Sequence, residues 1–475
     1  MKDKFNPNTY KHLDDDSAMI QAAVDAASAT GGTVVIPRLN ERTGKNVWSI
    51  ARAIRLHSGS VICLDNCVLM QADGVFDNIF ANSNQGSPLG FTREGRQYDI
   101  RIYGVGNALL DGGKHNGITE HTYKLNGGGK WIIYNSMINF LNTERITVEN
   151  IRIKNQRYWS MCFHYCAHAR ISDIDYYTPA TSTEQDGIDL RTGCNHFIIE
   201  NITGSVGDDV VALTCLNSRF DEDMSCCQLD DAIHHVTIRN VCATTPAGLV
   251  RVLNHHGKKI YNVIIENISD SVERDSAQER GWDNPPLDAK ISAHRPGAAV
   301  RIGENFYFGD GEKAKPEDTY NITVRNVSGR MRMGVKVNCA LNNALFENIQ
   351  LYGEGGTGVY FGEGEVKNIT VKNIGYSLLH TPAPGDDNRK EKYYNGTLCK
   401  LLPPVPDREI CAVYFKETDA KNIICDGVFA SAKLTSVFGG NGNITMRTSN
   451  IVKENPDTPL FGRGLVVSKM LIDEF

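Results

Sequence analysis

A short repeat recurs from residue 145 onward and constrains the fold of this chain more than any other feature. The repeat reads apolar, any, apolar, any, Asn, apolar, any, apolar, as in ITVENIRI at 146–153 and ITVRNVSG at 322–329. Asp173, in ISDIDY, replaces the asparagine in an eighth copy. The other seven copies carry Asn150, Asn201, Asn240, Asn267, Asn326, Asn348 and Asn373. Most of these positions follow one another at a short, nearly constant interval. The longer intervals, from Asn201 to Asn240 and from Asn267 to Asn326, indicate inserted loops or a coil that lacks the asparagine.

This period predicts a solenoid of β-strands. Alternating β-branched residues around one polar bend residue are typical of β-solenoids, whereas the leucine-and-helix half of a leucine-rich repeat is absent. A β-sandwich would need hairpin turns every roughly 8–12 residues, and here strand, bend and strand recur as one unit. We therefore predict an all-β protein folded as a right-handed parallel β-helix, a single domain over residues 1–475 with its asparagines stacked in a ladder.

An amphipathic segment near the start predicts a helix that caps the open end of the solenoid, where exposed strand edges would recruit other chains. The segment is SAMIQAAVDAAS at 17–28. Its apolar stripe consists of Ile20, Ala23, Val24 and Ala27. Asp16 or Ser17 is the expected N-cap, and Gly31-Gly32 is the expected end. This capping α-helix and the first strand should lie within residues 14–45.

Three segments interrupt the repeat and predict long loops. They are the acidic segment 217–233, the segment 271–299 and the proline-rich segment 376–410. Loops of this length in a regular solenoid commonly form the wall of a binding cleft. We therefore expect a cleft on the one face from which these loops project.

Three aspartates mark two consecutive coils of the predicted solenoid. Asp186 lies in QDGIDL at 185–190, and Asp208 and Asp209 lie in GDDVVAL at 207–213. The 22 residues from Asp186 to Asp208 make one coil, so the two positions should be neighbours about 4.8 Å apart along the axis. Carboxylates this close repel each other, so at least one should have a raised pKa and remain protonated near neutrality.

An acid next to an ionised carboxylate is what glycosidic cleavage needs, since one group protonates the leaving oxygen and the other activates water. Two other interpretations of the acids stay open. Paired carboxylates also bind calcium, and aspartates cap turns.

Charge and cysteine usage exclude several classes. The net charge of −6 is small for 475 residues, and acidic and basic residues are interspersed, so we expect no nucleic-acid or membrane partner. The opening MKDKFNPNTYKHLDDD lacks the apolar core of a signal peptide. Most of the 13 cysteines stand singly in β-rich runs, which predicts buried thiols and a cytoplasmic location, or a secreted one if a leader has been removed. No cofactor or metal site is expected.

QDGID at 185–189, followed one coil later by GDDVVAL at 207–213, resembles the paired NTDGxD and DDCIAI-type motifs of polygalacturonases, glycoside hydrolase family 28. The stretches 104–113 and 130–153 are also similar to that family, and the opening LDDDSAMIQAAVDAA…GGTVVIP is similar to the N-terminal cap of the wider pectin-lyase-like superfamily. The likeness covers about residues 14–350. The resemblance implies inverting hydrolysis without a metal. By that resemblance Asp208 is the general acid, and Asp186 and Asp209 hold and deprotonate the attacking water, with acid and base roughly 6.5–9.5 Å apart.

The chain departs from the family where the family contacts its uronate. The GHG motif falls near 246–249, where this chain has no histidine, and the RIK motif aligns with Arg301-Ile302-Gly303, which lacks the lysine. We expect substrate contacts from Arg301 and from residues that follow the altered GHG position, namely Arg251, His255 and His256.

Other residues are candidates for the substrate site by their position or type. His164 precedes Asp186 by 22 residues and should lie one coil below it, where it would tune a carboxylate or line a subsite. The candidate sugar-stacking aromatics are Trp159, Trp282, Tyr307 and Phe308.

Together these features predict an inverting glycoside hydrolase that acts on an acidic, pectin-type carbohydrate, a galacturonan or a rhamnogalacturonan-like chain. Two alternatives remain. One is a polysaccharide lyase or epimerase on the same fold, which needs a base near the uronate C5 and often calcium. The other is a non-catalytic carbohydrate-binding solenoid. The sugar, the linkage and the oligomeric state stay open.

Overall fold

A computed structural model of the chain describes residues 3–117, 132–178, 184–216, 229–245, 247–270, 298–303, 313–329, 331, 333–352, 357–377, 391–394, 397–400, 410–431 and 434–473. The predicted insertions at 217–233, 271–299 and 376–410 fall largely outside these ranges, so the loop-walled cleft stays a prediction. The described part contains no helix long and apolar enough to cross a membrane.

A single α-helix lies near the start of the chain within the described ranges, and short 3₁₀ turns occur at Pro7–Tyr10, Pro88–Phe91 and Ile132–Asn135. The helix, α1, spans Asp16–Thr30 and confirms the predicted capping segment. Its N-cap is Asp15, one residue before the expected position, and the Asp15 side chain accepts a hydrogen bond from the Ala18 N–H at 2.8 Å. Asp16 is otherwise engaged, because its carboxylate accepts from Arg42 and from the Ser49 N–H.

The end and the buried face of α1 also follow the prediction. Gly31 takes the left-handed conformation with φ of 72°, in which the end of a helix favours glycine. The four residues of the predicted stripe are all buried: Ile20, Ala23, Val24 and Ala27.

The other long elements of the described chain are β-strands, and nearly all of their pairing is parallel. The first half of the chain contains β1 (Lys4–Phe5), β2 (Thr33–Pro37), β3 (Val47–Ile50), β4 (Ile54–Leu56), β5 (Val61–Asp65), β6 (Val68–Gln71), β7 (Phe80–Asn82), β8 (Gln97–Val105), β9 (Leu109–Asp111), β10 (Ile138–Leu141), β11 (Thr143–Lys154), β12 (Met161–His164), β13 (Ala167–Tyr177), β14 (Ile188–Arg191), β15 (Asn195–Ser205) and β16 (Val211–Cys215).

The second half continues with β17 (Ile233–Thr244), β18 (Gly248–Asn254), β19 (Ile260–Asp270), β20 (Ala298–Ile302), β21 (Thr319–Gly329), β22 (Met333–Val337), β23 (Leu341–Tyr352), β24 (Thr357–Phe361), β25 (Gly364–Ser377), β26 (Glu391–Tyr394), β27 (Thr397–Lys400), β28 (Cys411–Phe415), β29 (Thr418–Ala430), β30 (Ser436–Gly440), β31 (Asn443–Lys453) and β32 (Val466–Asp473). The strands form a right-handed parallel β-helix, as predicted.

The chain divides into two compact units, one formed by residues 1–211 and 218–231 and the other by 212–217 and 232–475. In the first unit, β11, β13 and β15 stack so that Val148, Ile171 and Ile199 occupy equivalent places in successive coils. A second stack in this unit joins β10, β12 and β14. The single-domain organisation stays a prediction.

The second unit repeats the same arrangement through more coils. Strands β17, β19, β21, β23, β25 and β29 stack in register, and β18, β20, β22, β24, β28 and β30 form the accompanying stack. Ile265 on β19 pairs directly with Val324 on β21. The long interval from Asn267 to Asn326 therefore reflects inserted loops, and no coil has lost its asparagine there.

The repeated asparagines form the predicted ladder. Asn267 donates from Nδ2 to Oδ1 of Asn240 at 2.9 Å, Asn326 donates to Asn267 at 2.9 Å, and Asn348 donates to Asn326 at 3.0 Å. Each of these residues has a φ between 56° and 59°, a left-handed bend that asparagine tolerates better than most residues. The ladder thus joins a backbone requirement to a hydrogen bond between coils.

A second ladder, which the sequence analysis missed, lies just before the first along each coil. Asn321 donates to Asn262 at 2.9 Å, and Asn343 donates to Asn321 at 2.7 Å. In the first unit the equivalent left-handed positions are held by Arg145, His168 and His196. Each of these coils therefore contains two left-handed bends separated by a short strand segment. Each bend lies next to the corresponding left-handed bend of the neighbouring coil.

The cysteines follow the prediction of buried thiols. Ten cysteines are described with their side chains and none of these ten forms a disulfide; nine of them are buried, and Cys242 is exposed.

We predict that Asn326→Ala destabilises the protein by about 2 kcal/mol, because it breaks two ladder hydrogen bonds and puts alanine, which tolerates the left-handed conformation less well than asparagine, at φ of 58°. Asn326→Gly keeps the bend and should cost about half as much. Urea unfolding monitored by circular dichroism measures both midpoints. Equal midpoints for the two variants would show that the bend itself carries no strain.

Candidate active site

Asp186, Asp208 and Asp209 lie where two successive coils enter their strands. Asp186 precedes β14, and the aspartate pair precedes β16. The backbone holds the two coils together, since the Gly187 N–H donates to the Asp209 carbonyl at 2.9 Å and the Ile188 N–H donates to the Val210 carbonyl at 3.0 Å. The predicted one-coil relation between the acids is therefore confirmed.

The three carboxyl groups form one cluster. Each offers an oxygen, and these oxygens all lie within 4.8 Å of one another. Asp186 is 5% exposed and Asp209 is fully buried, whereas Asp208 is half-buried. Oδ1 of Asp186 is buried and makes no hydrogen bond to any described residue. The cluster thus presents one accessible acid and two acids that are withdrawn from solvent.

Burial shifts the titration of this cluster. Desolvation raises the pKa of Asp186 well above its usual value, and the negative charge of Asp189 raises it further, followed by those of Asp208 and Glu184. The predicted repulsion among the acids and the raised pKa of one of them are therefore seen at Asp186.

Asp189 is a fourth acid that the sequence analysis did not assign to the site. It is 1% exposed, and its Oδ2 makes no hydrogen bond to any described residue. Desolvation raises its pKa well above the usual value, while the charge of Arg191 opposes that shift. The signal was present in the sequence, because Asp189 is the second acid of the QDGID motif.

The turn that carries Asp186 is fixed by buried amides. Gln156 donates from Nε2 to the carbonyl oxygens of Gln185 at 3.2 Å and Asp186 at 3.3 Å, and Gln185 donates back to the Gln156 carbonyl at 2.8 Å. Gly187 is required here because a β-carbon would overlap the Val210 carbonyl oxygen. These contacts hold Asp186 without using its carboxylate.

An aromatic cluster lies beside the acids. Trp159 stacks on Tyr158 with ring centroids 4.7 Å apart, and its Nε1 donates to Glu184 at 3.1 Å. The Arg191 guanidinium lies over the Trp159 ring at 4.8 Å. Trp159 is only 4% exposed, so its ring belongs to this cluster and does not form an open stacking platform. The other stacking candidates, Trp282, Tyr307 and Phe308, lie outside the described residues.

The expectation that His164 lies directly below Asp186 is wrong. Met161 pairs with Ile188, so this coil is longer than the interval from His164 to Asp186, and His164 lies beside the end of β14. Its ring is fully buried, with Nε2 3.2 Å from Cys162 Sγ. Desolvation, and then the charge of Arg191, lowers the pKa of His164 well below its usual value, so the ring is neutral. Its substrate-binding role stays a prediction without support from this position.

The remaining substrate-binding candidates belong to the second unit. Arg251 on β18 and Arg301 on β20 are register partners on neighbouring strands, and both are half-buried. His255 is 1% exposed, and its ring lies 4.5 Å from that of the half-buried His256. The two arginines thus lie side by side on neighbouring strands, and the two histidines follow directly after the end of β18.

The aspartate cluster has two chemical uses. An accessible acid and two buried acids suit proton donation to a leaving oxygen and activation of water. Three carboxylate oxygens this close also suit a hard divalent cation, and within the described ranges no other group of three or more His, Cys, Asp or Glu side chains has this property.

Comparison with known proteins supports the resemblance seen in the sequence. Residues 92–229 match the family described as Glycosyl hydrolases family 28, a segment that contains all three aspartates of the cluster and Asp189. The likeness to this family, predicted from the sequence motifs, is confirmed over these residues.

Solved structures share the architecture at low sequence identity. The tailspike protein of E. coli bacteriophage HK620, in complex with pentasaccharide, is 11% identical with a TM-score of 0.51, over 97% of this chain and 77% of that one. A family 28 exopolygalacturonase from Yersinia enterocolitica is 12% identical with a TM-score of 0.47, over 99% of this chain and 78% of that one. A mannuronan C-5 epimerase A-module from Azotobacter vinelandii is 12% identical with a TM-score of 0.38, over 99% of both chains. At this identity the match to the tailspike protein, with its TM-score above 0.5, supports the fold alone.

We predict that Asp189→Asn moves the acidic limb of the pH–activity profile to lower pH. Loss of the Asp189 charge lowers the pKa of Asp186, so the ionised form that can accept a proton persists at lower pH. Initial rates across a pH series measure the shift. Asp175→Asn, a change at a surface acid bonded to Thr203, is the matched control. An acidic limb that moves upward or stays in place would contradict the coupling.

Proposed function

We propose that the protein is a glycoside hydrolase that cleaves an acidic, pectin-type oligo- or polysaccharide with the Asp186, Asp208 and Asp209 carboxyl groups. One observation carries the proposal: three carboxylate oxygens lie within 4.8 Å of one another in the segment that matches family 28. The different exposures of the acids support it, because proton donation and activation of water need carboxyl groups in different environments.

The exposures of the acids suggest their division of labour. Asp208 is the most accessible of the three and is the proposed general acid, which gives its proton to the oxygen of the leaving sugar as the glycosidic bond breaks. Asp186 and Asp209 are proposed to hold the water whose oxygen bonds to the anomeric carbon. The proton of that water passes to an ionised carboxylate of this pair. Because the pKa of Asp186 is raised, its ionisation should limit activity at low pH.

The basic side chains of the second unit support an acidic substrate. Arg251 and Arg301 are adjacent in register, and a guanidinium recognises a carboxylate through two parallel hydrogen bonds. We propose that they bind a uronate, Arg301 as the arginine that the RIK motif keeps and Arg251 as a replacement that follows the altered GHG position.

We predict that Asp208→Asn lowers the rate of reducing-end release by about 10²–10⁴-fold, as expected for loss of a general acid, without a change in the melting temperature. Pectin, rhamnogalacturonan and neutral oligosaccharides form the substrate screen. Asp99→Asn, which alters a surface acid paired with Arg145, is the control and should keep full activity. Full activity of Asp208→Asn would show that Asp208 is not the general acid.

We expect the wild-type rate to be unchanged by a chelator, because the proposed reaction uses no cation. The screen should be run with and without EDTA, and products should be read both as reducing ends and as near-ultraviolet absorbance. Loss of activity with EDTA together with new absorbance would instead support a lyase that uses the carboxylate cluster as a calcium site. Binding without any product would support a non-catalytic solenoid.

We expect inversion at the anomeric carbon, on the strength of the family resemblance. Retention is the alternative outcome, in which an aspartate would bond to the anomeric carbon. NMR of the first-formed product separates the two outcomes. A first product with the configuration of the original linkage would show that one aspartate acts as a nucleophile and not as a base.

A further inference from the structure

A row of basic side chains extends beyond the two arginines of the second unit. Arg251 on β18 pairs with Arg301 on β20, and Arg301 pairs with Lys336 on β22. All three side chains are half-buried, and a buried apolar residue precedes and follows each of them along its strand. The alternation of a β-strand therefore places the three cations on the outer face of the stack, one in each successive coil.

Lys336 in turn pairs with Tyr360 on β24, and Tyr360 pairs with Tyr414 on β28. The two tyrosine rings stack with centroids 5.4 Å apart and planes 4° from parallel. The row thus changes from charged to aromatic after three coils. Arg251, Arg301 and Lys336 together form a basic row.

The basic row stacks cation on cation, and like charges opposite each other destabilise strand pairing. The strands β18, β20, β22, β24 and β28, which carry the row and the tyrosines, contain no aspartate or glutamate. The other sheet of the same unit mixes charges of both signs. There Arg325 lies in register with Glu266 and forms an ion pair with it at 2.5 Å, and Lys421, in register with Lys367, forms an ion pair with Glu365 at 3.2 Å.

We propose that the basic row is a binding surface for an acidic polysaccharide that runs along the solenoid axis, with Lys336 as a carboxylate-binding residue one coil beyond Arg301. Coils repeat about every 4.8 Å, so the row offers cations at a regular interval to a chain whose sugars each carry a carboxylate. This inference rests on the proposed function for the class of substrate, and it adds Lys336 and the extent of the charged surface.

The row also bears on the lysine that the RIG sequence at 301–303 lacks. Gly303 cannot be replaced there without a rearrangement, since a β-carbon would overlap Cys339 Sγ. The next coil supplies a lysine in register with Arg301. The positive charge that the missing lysine would supply on the same strand is therefore supplied by Lys336 in the next coil.

The test measures binding apart from catalysis. Titration calorimetry on the full chain with the Asp208→Asn change uses hexagalacturonate and its fully methyl-esterified form as probes. Lys336→Gln should weaken binding of hexagalacturonate by about tenfold and leave binding of the ester unchanged. Lys336→Arg should restore the affinity, and Lys367→Gln, which removes a surface lysine paired with Glu317, should have no effect.

Three outcomes would overturn the inference: unchanged affinity of Lys336→Gln for hexagalacturonate, an equal loss for both probes, or no binding of hexagalacturonate by the parent. Failure of the proposed function has a different signature. If hexagalacturonate binds with the expected Lys336 dependence but the wild type releases no reducing ends, the binding surface stands and the hydrolase does not.

Discussion

The left-handed bend that recurs from coil to coil is the constraint on which the rest of this molecule depends. At that bend the backbone has a positive φ, and in the second unit an asparagine satisfies the conformation while its amide bonds to the asparagine of the next coil. Because the bend recurs at the same phase of each coil, each strand returns directly above its predecessor. Valine and isoleucine then stack on their equivalents, as Ile238, Ile265 and Val324 do, and the core becomes a column of like side chains.

The carboxylate cluster depends on this same return of the chain. Burial is the largest cause of the raised pKa of Asp186, and the repulsion of neighbouring carboxylates acts in the same direction. A site of this kind is held by the backbone around it, through Gln156 and Gly187, and not by attraction among its own members.

The ladder asparagines and the Asp186–Asp208 relation could be predicted because each depends on local chemistry repeated at a regular interval. The second ladder was missed because its positions mix residue types, with Arg145, His168 and His196 where later coils use asparagine. His164 was misplaced because the coil that joins β12 to β14 is longer than the one that joins Asp186 to Asp208, so a single spacing does not describe both. Asp189 was overlooked because the sequence pattern does not show which acid of the motif is desolvated.

The direct pairing of β19 with β21 across the longest interval of the repeat has a consequence for how such a molecule can change. Residues added between strands leave the axial stacking intact, so surface segments can lengthen or diverge without penalty to the core. One residue added within a strand moves every following side chain to the opposite face until the next bend. In each unit the loops can therefore vary in length and sequence, and the recognition surface can change with them, while the spacing between successive coils stays constant.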